Sequence, residues 1–344
     1  MGNNNSLNGP NVNPIDIKTS IDIIKDDLSC EYFNNSFLIF TSLNGILFLL
    51  YSTESKSIIS FDLVYNRKIN EIKNAHNNFI SNFKHIKDIN NKRDLIITIS
   101  CFDNNVKIWN ACNWECICNI KSIYLEGHLS SVSYLNDKNQ YYIIVSNTNS
   151  IDSKNPIIVF DLNGKKIKEI NNSCNKTYFI DSFYDEIFST NYMITGNDGY
   201  VKSFDHNKNI LYHTYTDYYV FNEHYNIIIY DKSNVVKMID FCRNGIIRIW
   251  DFHGRLLLNR FIYDKIEIFG GCLWNDDYLY VAFDDYKIKL LSLKDGTIVH
   301  NLISNEKIVI YIQKINHPKY GECMVSQGYN NDHIKLWAKS PEYN

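Results

Sequence analysis

The chain has 344 residues, a formal net charge of -3, and 45% hydrophobic and 14% aromatic side chains. This is the composition of a folded domain, not a disordered one, and the near-neutral balance argues against a dedicated basic nucleic-acid binder. Nine cysteines follow no apolar leader, which predicts a reduced, cytoplasmic chain, long enough to fold without disulfides or structural metal.

Residues 1–14 read as a flexible polar tail. It opens Met1-Gly2-Asn3-Asn4-Asn5-Ser6, the pattern of a myristoylated Gly2 with a hydroxyl residue at position six. Two readings stand, an acylated Gly2 or a solvated Asn-rich tail. One myristoyl chain binds membranes weakly and reversibly, so a membrane is a partner only if Gly2 carries it.

Ile15 to Ile24 alternates apolar with polar residues, predicting a strand. Tyr32 to Thr53 is uncharged and could pass for a membrane span. Asn44-Gly45 divides its two apolar runs, however, which predicts a tight hairpin instead.

From there a repeat runs to the end. Its anchors are Phe61, Trp109, Phe160, Phe204, Trp250, Leu291 and Trp337, each closing an apolar stretch such as Val106-Lys-Ile-Trp109 or Ile247-Arg-Ile-Trp250. Successive anchors lie 48, 51, 44, 46, 41 and 46 residues apart. Each unit places an apolar strand, then a turn rich in Asp, Asn and Gly, before its anchor strand, and an alternating strand after it. Short, evenly spaced strands without helical periodicity predict an all-β propeller of seven blades.

Within the second unit, Ala75-His76 precedes Ser100, Asp103 and Trp109. Gly127-His128 opens the third. Asp198-Gly199 and Asp285 occupy the matching turns of the fourth and sixth units, whereas the fifth has Asn244 there. Units four to seven have no His in the place of His76.

Other chemistry-bearing residues have bland readings. Cys112, Cys116 and Cys118 lack the second ligand pair that a zinc site needs, so half-buried strand thiols are expected and no metal. Paired acids such as Asp276-Asp277 fall in turns, where they bond their own backbone. Lys84-His85-Ile-Lys87, Lys92-Arg93 and Lys165-Lys166 are interleaved with acids and read as solvated faces. No Gly-x-Ser-x-Gly, P-loop, Gly-x-Gly-x-x-Gly or His-Glu-x-x-His motif is present, so no enzymatic activity or cofactor is expected.

The anchors, with Gly127-His128 and Ala75-His76, resemble the WD-repeat (WD40) family over about residues 15 to 338. The resemblance implies a hydrogen-bonded network of His76, Asp103, Trp109 and either Ser100 or Thr98. The matching positions in other blades are His128, Asp198, Trp250, Asp285 and Trp337. It also implies ring closure: the last unit stops soon after Trp337 and lacks an outer strand, which Ile15 to Ile24 would supply.

The expected architecture is thus a propeller over residues 15–339, closed by an N-terminal strand in the last blade, with a tail at 340–344. Resemblance to the family makes the rim of inter-blade loops and pre-anchor turns the docking surface. Its candidate contacts are Phe102, Arg243, Tyr286 and Tyr329 from the turns, and Phe79, Tyr178 and Tyr218 from the loops. The insertion Asn147 to Pro156 lengthens one turn on that face. The expected function is a scaffold or adaptor for proteins or peptides, monomeric within larger complexes and without nucleic acid. An N-myristoylated peripheral-membrane recruiter and a substrate-recognition subunit of a ubiquitin ligase are the alternatives.

Overall fold

The computed structural model of the chain describes residues 12–24, 37–121, 123, 128–148, 156–174, 176–217, 223–232, 234–303, 308–328 and 333–339. After a short turn of 3-10 helix, β1 (Ile17–Ile24) begins a succession of strands. The first sheet holds β2 (Phe37–Thr41), β3 (Leu47–Ser52), β4 (Ile58–Asp62) and β5 (Arg67–Ile72). The second holds β6 (Asn82–Asp88), β7 (Arg93–Ser100), β8 (Asn105–Asn110) and β9 (Cys116–Ile120). The third comprises β10 (Leu129–Asp137), β11 (Gln140–Asn147), β12 (Ile157–Asp161) and β13 (Lys166–Ile170). In the fourth are β14 (Thr177–Asp185), β15 (Thr190–Asn197), β16 (Val201–Asp205) and β17 (Ile210–Tyr215). The fifth contains β18 (His224–Lys232), β19 (Val235–Cys242), β20 (Ile246–Asp251) and β21 (Leu257–Ile262). The sixth contains β22 (Ile268–Leu273), β23 (Tyr278–Phe283), β24 (Lys287–Ser292) and β25 (Ile298–Ile303). Finally β26 (Val309–His317), β27 (Gly321–Gly328) and β28 (Ile334–Lys339) form the seventh sheet together with β1.

Seven small antiparallel sheets stand in a ring, a seven-bladed β-propeller. The chain divides into two compact units. Residues between 35 and 60 and between 69 and 227 make one; those between 2 and 34, 61 and 68, and 228 and 344 make the other. No helix among the described residues is long and apolar enough to cross a membrane.

Burial follows the residue pattern. The second strands are continuous apolar runs because both their faces are covered: all of β3 is buried, and all of β7 except Arg93. Outer strands such as β13 are mostly exposed and alternate with charged residues, which blunts an edge that would otherwise invite pairing. Every anchor is buried, and in six sheets its pairing with the preceding strand sets it opposite a bulky apolar residue. These pairs are Trp109 with Ile96, Phe160 with Ile143, Phe204 with Met193, Trp250 with Met238, Leu291 with Leu279, and Trp337 with Met324. In five sheets the pairing of anchor strand with outer strand also shifts register just before the anchor. Such a bulge adds local twist.

The uncharged segment forms a hairpin, with Thr41 paired to Leu47. Its turn holds three residues, Leu43, Asn44 and Gly45. Ser42 N donates to Ile46 O at 2.9 Å, and only Gly45 takes a positive φ, 80°. That is the three-residue loop with glycine in the left-handed position; residues 32–36 lie outside the described residues.

Closure takes the form expected. β1 runs antiparallel to β28, with Ile17 opposite Lys339 and Ser20 opposite Trp337. Residues 12–14, ahead of that strand, are held to the sixth and seventh sheets and are not a free tail. Trp274 Nε1 donates to Val12 O at 3.2 Å, Val12 N to Glu322 Oε2 at 3.1 Å, and Tyr280 OH to Pro14 O at 2.6 Å. Pro14 and Ile17 are buried. Residues 340–344 lie outside the described residues.

Candidate functional site

The loop before β6 brings His76 beneath the end of β7 and β8. Trp109 Nε1 donates to Thr98 Oγ1 at 2.9 Å, and His76 Nε2 lies 2.8 Å from the same hydroxyl. His76 Nδ1 faces Asp103 Oδ2 at 3.8 Å, an electrostatic contact too long for a hydrogen bond. Asp103 Oδ2 accepts the backbone N–H groups of Asn77 at 2.7 Å and Asn78 at 3.0 Å. One residue therefore locks the turn before the anchor strand to the inter-blade loop.

Donor counting fixes the proton. The Thr98 oxygen accepts from the indole, so its own hydrogen is free to go to a lone pair on His76 Nε2, leaving the imidazole hydrogen on Nδ1 toward Asp103. With the hydrogen on Nε2 alone, the bare Nδ1 lone pair would face the Asp103 carboxylate. Burial, helped by the Lys107 charge, accordingly holds the His76 pKa down at about 3.

The fourth member is Thr98 and not Ser100. Although both lie on β7, the Ser100 hydroxyl is buried without a partner. Register decides between them: Thr98 stands opposite Lys107, two residues before Trp109, within reach of the indole.

The same position shows why other blades differ. In the third, Val145 occupies it, opposite Ile158, and the anchor is Phe160. Neither can bond an imidazole, so His128 is not a buried structural donor there. It is exposed, and its ring lies 5.3 Å from Phe102. In the seventh blade Ser326 takes the position, and Trp337 Nε1 donates to it at 2.8 Å. The fourth blade puts Thr195 there and Asn172 in the place of His76. Asn172 Nδ2 donates to Thr177 Oγ1 at 2.9 Å and Asn197 Oδ1 at 3.0 Å, all of them fully buried. In the fifth, Asp240 lies opposite Arg248 with 3.7 Å between carboxylate and guanidinium, and Trp250 is buried as the anchor. The neighbouring Cys242 thiol is pushed far above its ordinary pKa by burial and by the Asp240 charge. The amide cluster around Asn172 had no sequence signal, since asparagine is common throughout the chain.

Turn acids serve the local backbone or nearby side chains. Asp198 accepts from Tyr178 OH at 2.8 Å, and that hydroxyl also lies 3.1 Å from Glu223 Oε1. Burial and these two carboxylates raise the Tyr178 pKa. Asp285 pairs with Lys289 at 2.8 Å.

Of the rim candidates, Phe102 is 50% and Tyr286 52% exposed. Phe79 is half-buried, as is Tyr178, whose ring packs 5.1 Å from Tyr225. Arg243 is tied to Glu267, Nε to Oε2, at 3.1 Å. Tyr218, Tyr329, Gly2 and most of the insertion at 147–156 lie outside the described residues. On β9 Cys116 is exposed and Cys118 half-buried, while Cys112 is exposed in the turn before them; all three are free thiols. Burial raises the pKa of Cys116 and Cys118.

The arrangement defines a β-propeller whose second blade carries a buried polar lock beneath a rim with exposed aromatic residues. Compared with protein-family models and with curated proteins, the chain matches none.

Proposed function

We propose that this propeller is a non-catalytic scaffold of the WD-repeat kind, docking proteins or peptides on the rim of inter-blade loops and pre-anchor turns. The observation that carries the reading is Tyr286. The residue five before the anchor takes a left-handed backbone, as at Lys56 (φ 63°), Asn104 (52°), Gly199 (79°) and Gly245 (83°) in the first, second, fourth and fifth blades. The sixth blade places a tyrosine there at φ 65°, with 52% of its surface in water. A bulky residue in that conformation is strained by about 1–2 kcal/mol, while half of its surface stays in water. Strain of this kind is retained where a side chain has work to do outside the fold. Exposed aromatics on rigid turns are also the usual anchors of interfaces.

The test is paired. Tyr286→Gly should leave the melting temperature unchanged or raise it, because the strain is relieved. Together with Phe102→Ala it should strip stoichiometric partners that co-purify with the intact protein. Retention of every partner by the double variant counts against the rim.

A further inference from the structure

Within the unit of residues 35–60 and 69–227, the turns β2–β3, β6–β7, β10–β11 and β14–β15 lie at the ends of their strands away from Phe102. Bonds between neighbouring blades join them into one surface. Leu43 N donates to Asp94 Oδ2 at 2.8 Å, Tyr141 OH to Lys87 O at 3.0 Å, and Asn191 Nδ2 to Asn136 O at 3.0 Å. Turns normally hold Gly, Pro, Asn, Asp or Ser. Here Ile89, Ile187 and Phe188 stand in water at 66%, 62% and 56% exposure.

The tips are firmly held. Asp185 Oδ1 accepts from Ile187 N at 2.8 Å and from Phe188 N at 3.0 Å, while Asp88 holds Asn91 and Arg93. Both carboxylates are turned inward, at 3% and 0% exposure. Lys92 and Lys138 on the same turns and Lys87 at the end of β6 are exposed, and Glu186 is the one exposed carboxylate among the described residues of these four turns. The outermost layer thus consists of apolar tips set among ammonium groups.

We propose that this surface docks on an anionic lipid bilayer, with Ile89, Ile187 and Phe188 entering the interface and Lys87, Lys92 and Lys138 meeting headgroup phosphates. Lysine is depleted from protein–protein interfaces, whose anchors are Tyr, Trp and Arg, whereas each lysine beside an anionic leaflet raises partitioning about fivefold. Convex tips fit a fluid surface that closes around them. The surface is distinct from the rim, so the two readings stand or fall separately.

The test uses the full chain carrying Gly2→Ala, so that no acyl chain contributes. Co-sedimentation is measured with phosphatidylcholine vesicles and with vesicles that also contain phosphatidylserine. Binding should require phosphatidylserine and weaken with salt. It should fall about tenfold or more in Ile187→Asp/Phe188→Asp and about fivefold per charge removed in Lys87→Gln/Lys138→Gln, with melting temperatures unchanged. No binding to phosphatidylserine vesicles, or binding indifferent to both variants, overturns the proposal. So does a purified protein partner lost in Ile187→Asp/Phe188→Asp when vesicle binding is absent.

Discussion

Replacing Thr98 by valine keeps the shape of a fully buried side chain and deletes one hydroxyl. Two buried groups lose their partner at once, the Trp109 indole N–H at 2.9 Å and His76 Nε2 at 2.8 Å. Each such group left unsatisfied costs about 1–3 kcal/mol, so the variant should lose about 3 kcal/mol. Ser326→Ala is the internal standard: it orphans only the Trp337 indole and should cost about 1–2 kcal/mol. Ser100→Ala removes a buried hydroxyl that has no partner and should change stability by less than about 0.5 kcal/mol. Equilibrium urea unfolding followed by tryptophan fluorescence gives all three midpoints in one experiment. Equal losses for Thr98→Val and Ser100→Ala would refute the assignment of the lock, whatever their size.

Acid should expose the same histidine. Its folded pKa, about 3, lies below the ordinary 6.5, as does that of buried His206 at about 4 beside Lys168. The unfolded chain therefore takes up protons first, and stability that is complete above pH 6.5 is lost as pH falls toward those folded values. At pH 5 the loss should be about 2 kcal/mol per histidine, in a range where ordinary carboxylates remain ionised, and His76→Gln should remove its share from the pH dependence of the melting temperature. Deleting residues 1–24 removes the strand paired with β28 and should lower the melting temperature by many degrees or leave the chain insoluble; Tyr280→Phe, which removes only the bond to Pro14 O, should cost about 1 kcal/mol. Gly271→Ala places a methyl group 2.7 Å from Tyr280 O and 2.8 Å from the Phe241 ring and should cost about 1–3 kcal/mol by overpacking. Gly45→Ala meets nothing within 4 Å but keeps a φ of 80°, so its cost of about 1 kcal/mol is conformational; calorimetry that ranked the two in reverse would refute the distinction.

Seven anchors at nearly even spacing made the architecture legible, because an anchor must be apolar to fill the space opposite Ile96, Met193 or Leu279 whichever residue it is. Closure was legible for a related reason: an alternating strand without a repeat of its own met a repeat without an outer strand. The polar lock was only half legible. His76, Asp103 and Trp109 are marked by type and order, but choosing Thr98 over Ser100 takes a register, which strand sequence alone leaves open. The Gly127-His128 pair has the right spelling in a blade where Val145 and Phe160 offer its imidazole no partner. The hairpin at Asn44-Gly45 was legible, although of the two residues only Gly45 takes the positive φ that both tolerate.

One further regularity connects these cases. The residue two before the anchor is basic in five blades, Lys107, Lys202, Arg248, Lys289 and Lys335. It faces Thr98, Thr195, Asp240, Val281 and Ser326 respectively, whereas in the third blade Ile158 faces Val145. A cation at this depth needs an acceptor, and each blade finds one of its own: Ala75 O for Lys107 at 2.6 Å, Asn172 O for Lys202, Asp240 for Arg248, Asp285 for Lys289 at 2.8 Å, and Asp22 for Lys335 at 3.9 Å. Lys289 reaches back to Asp285, which is how Val281 can stand opposite it. Lys107 and Lys202 instead hold the carbonyls of the loops that deliver His76 and Asn172. The cation and the network in those two blades are therefore parts of one device, which fixes the inter-blade loop to the sheet and keeps the rim above it rigid.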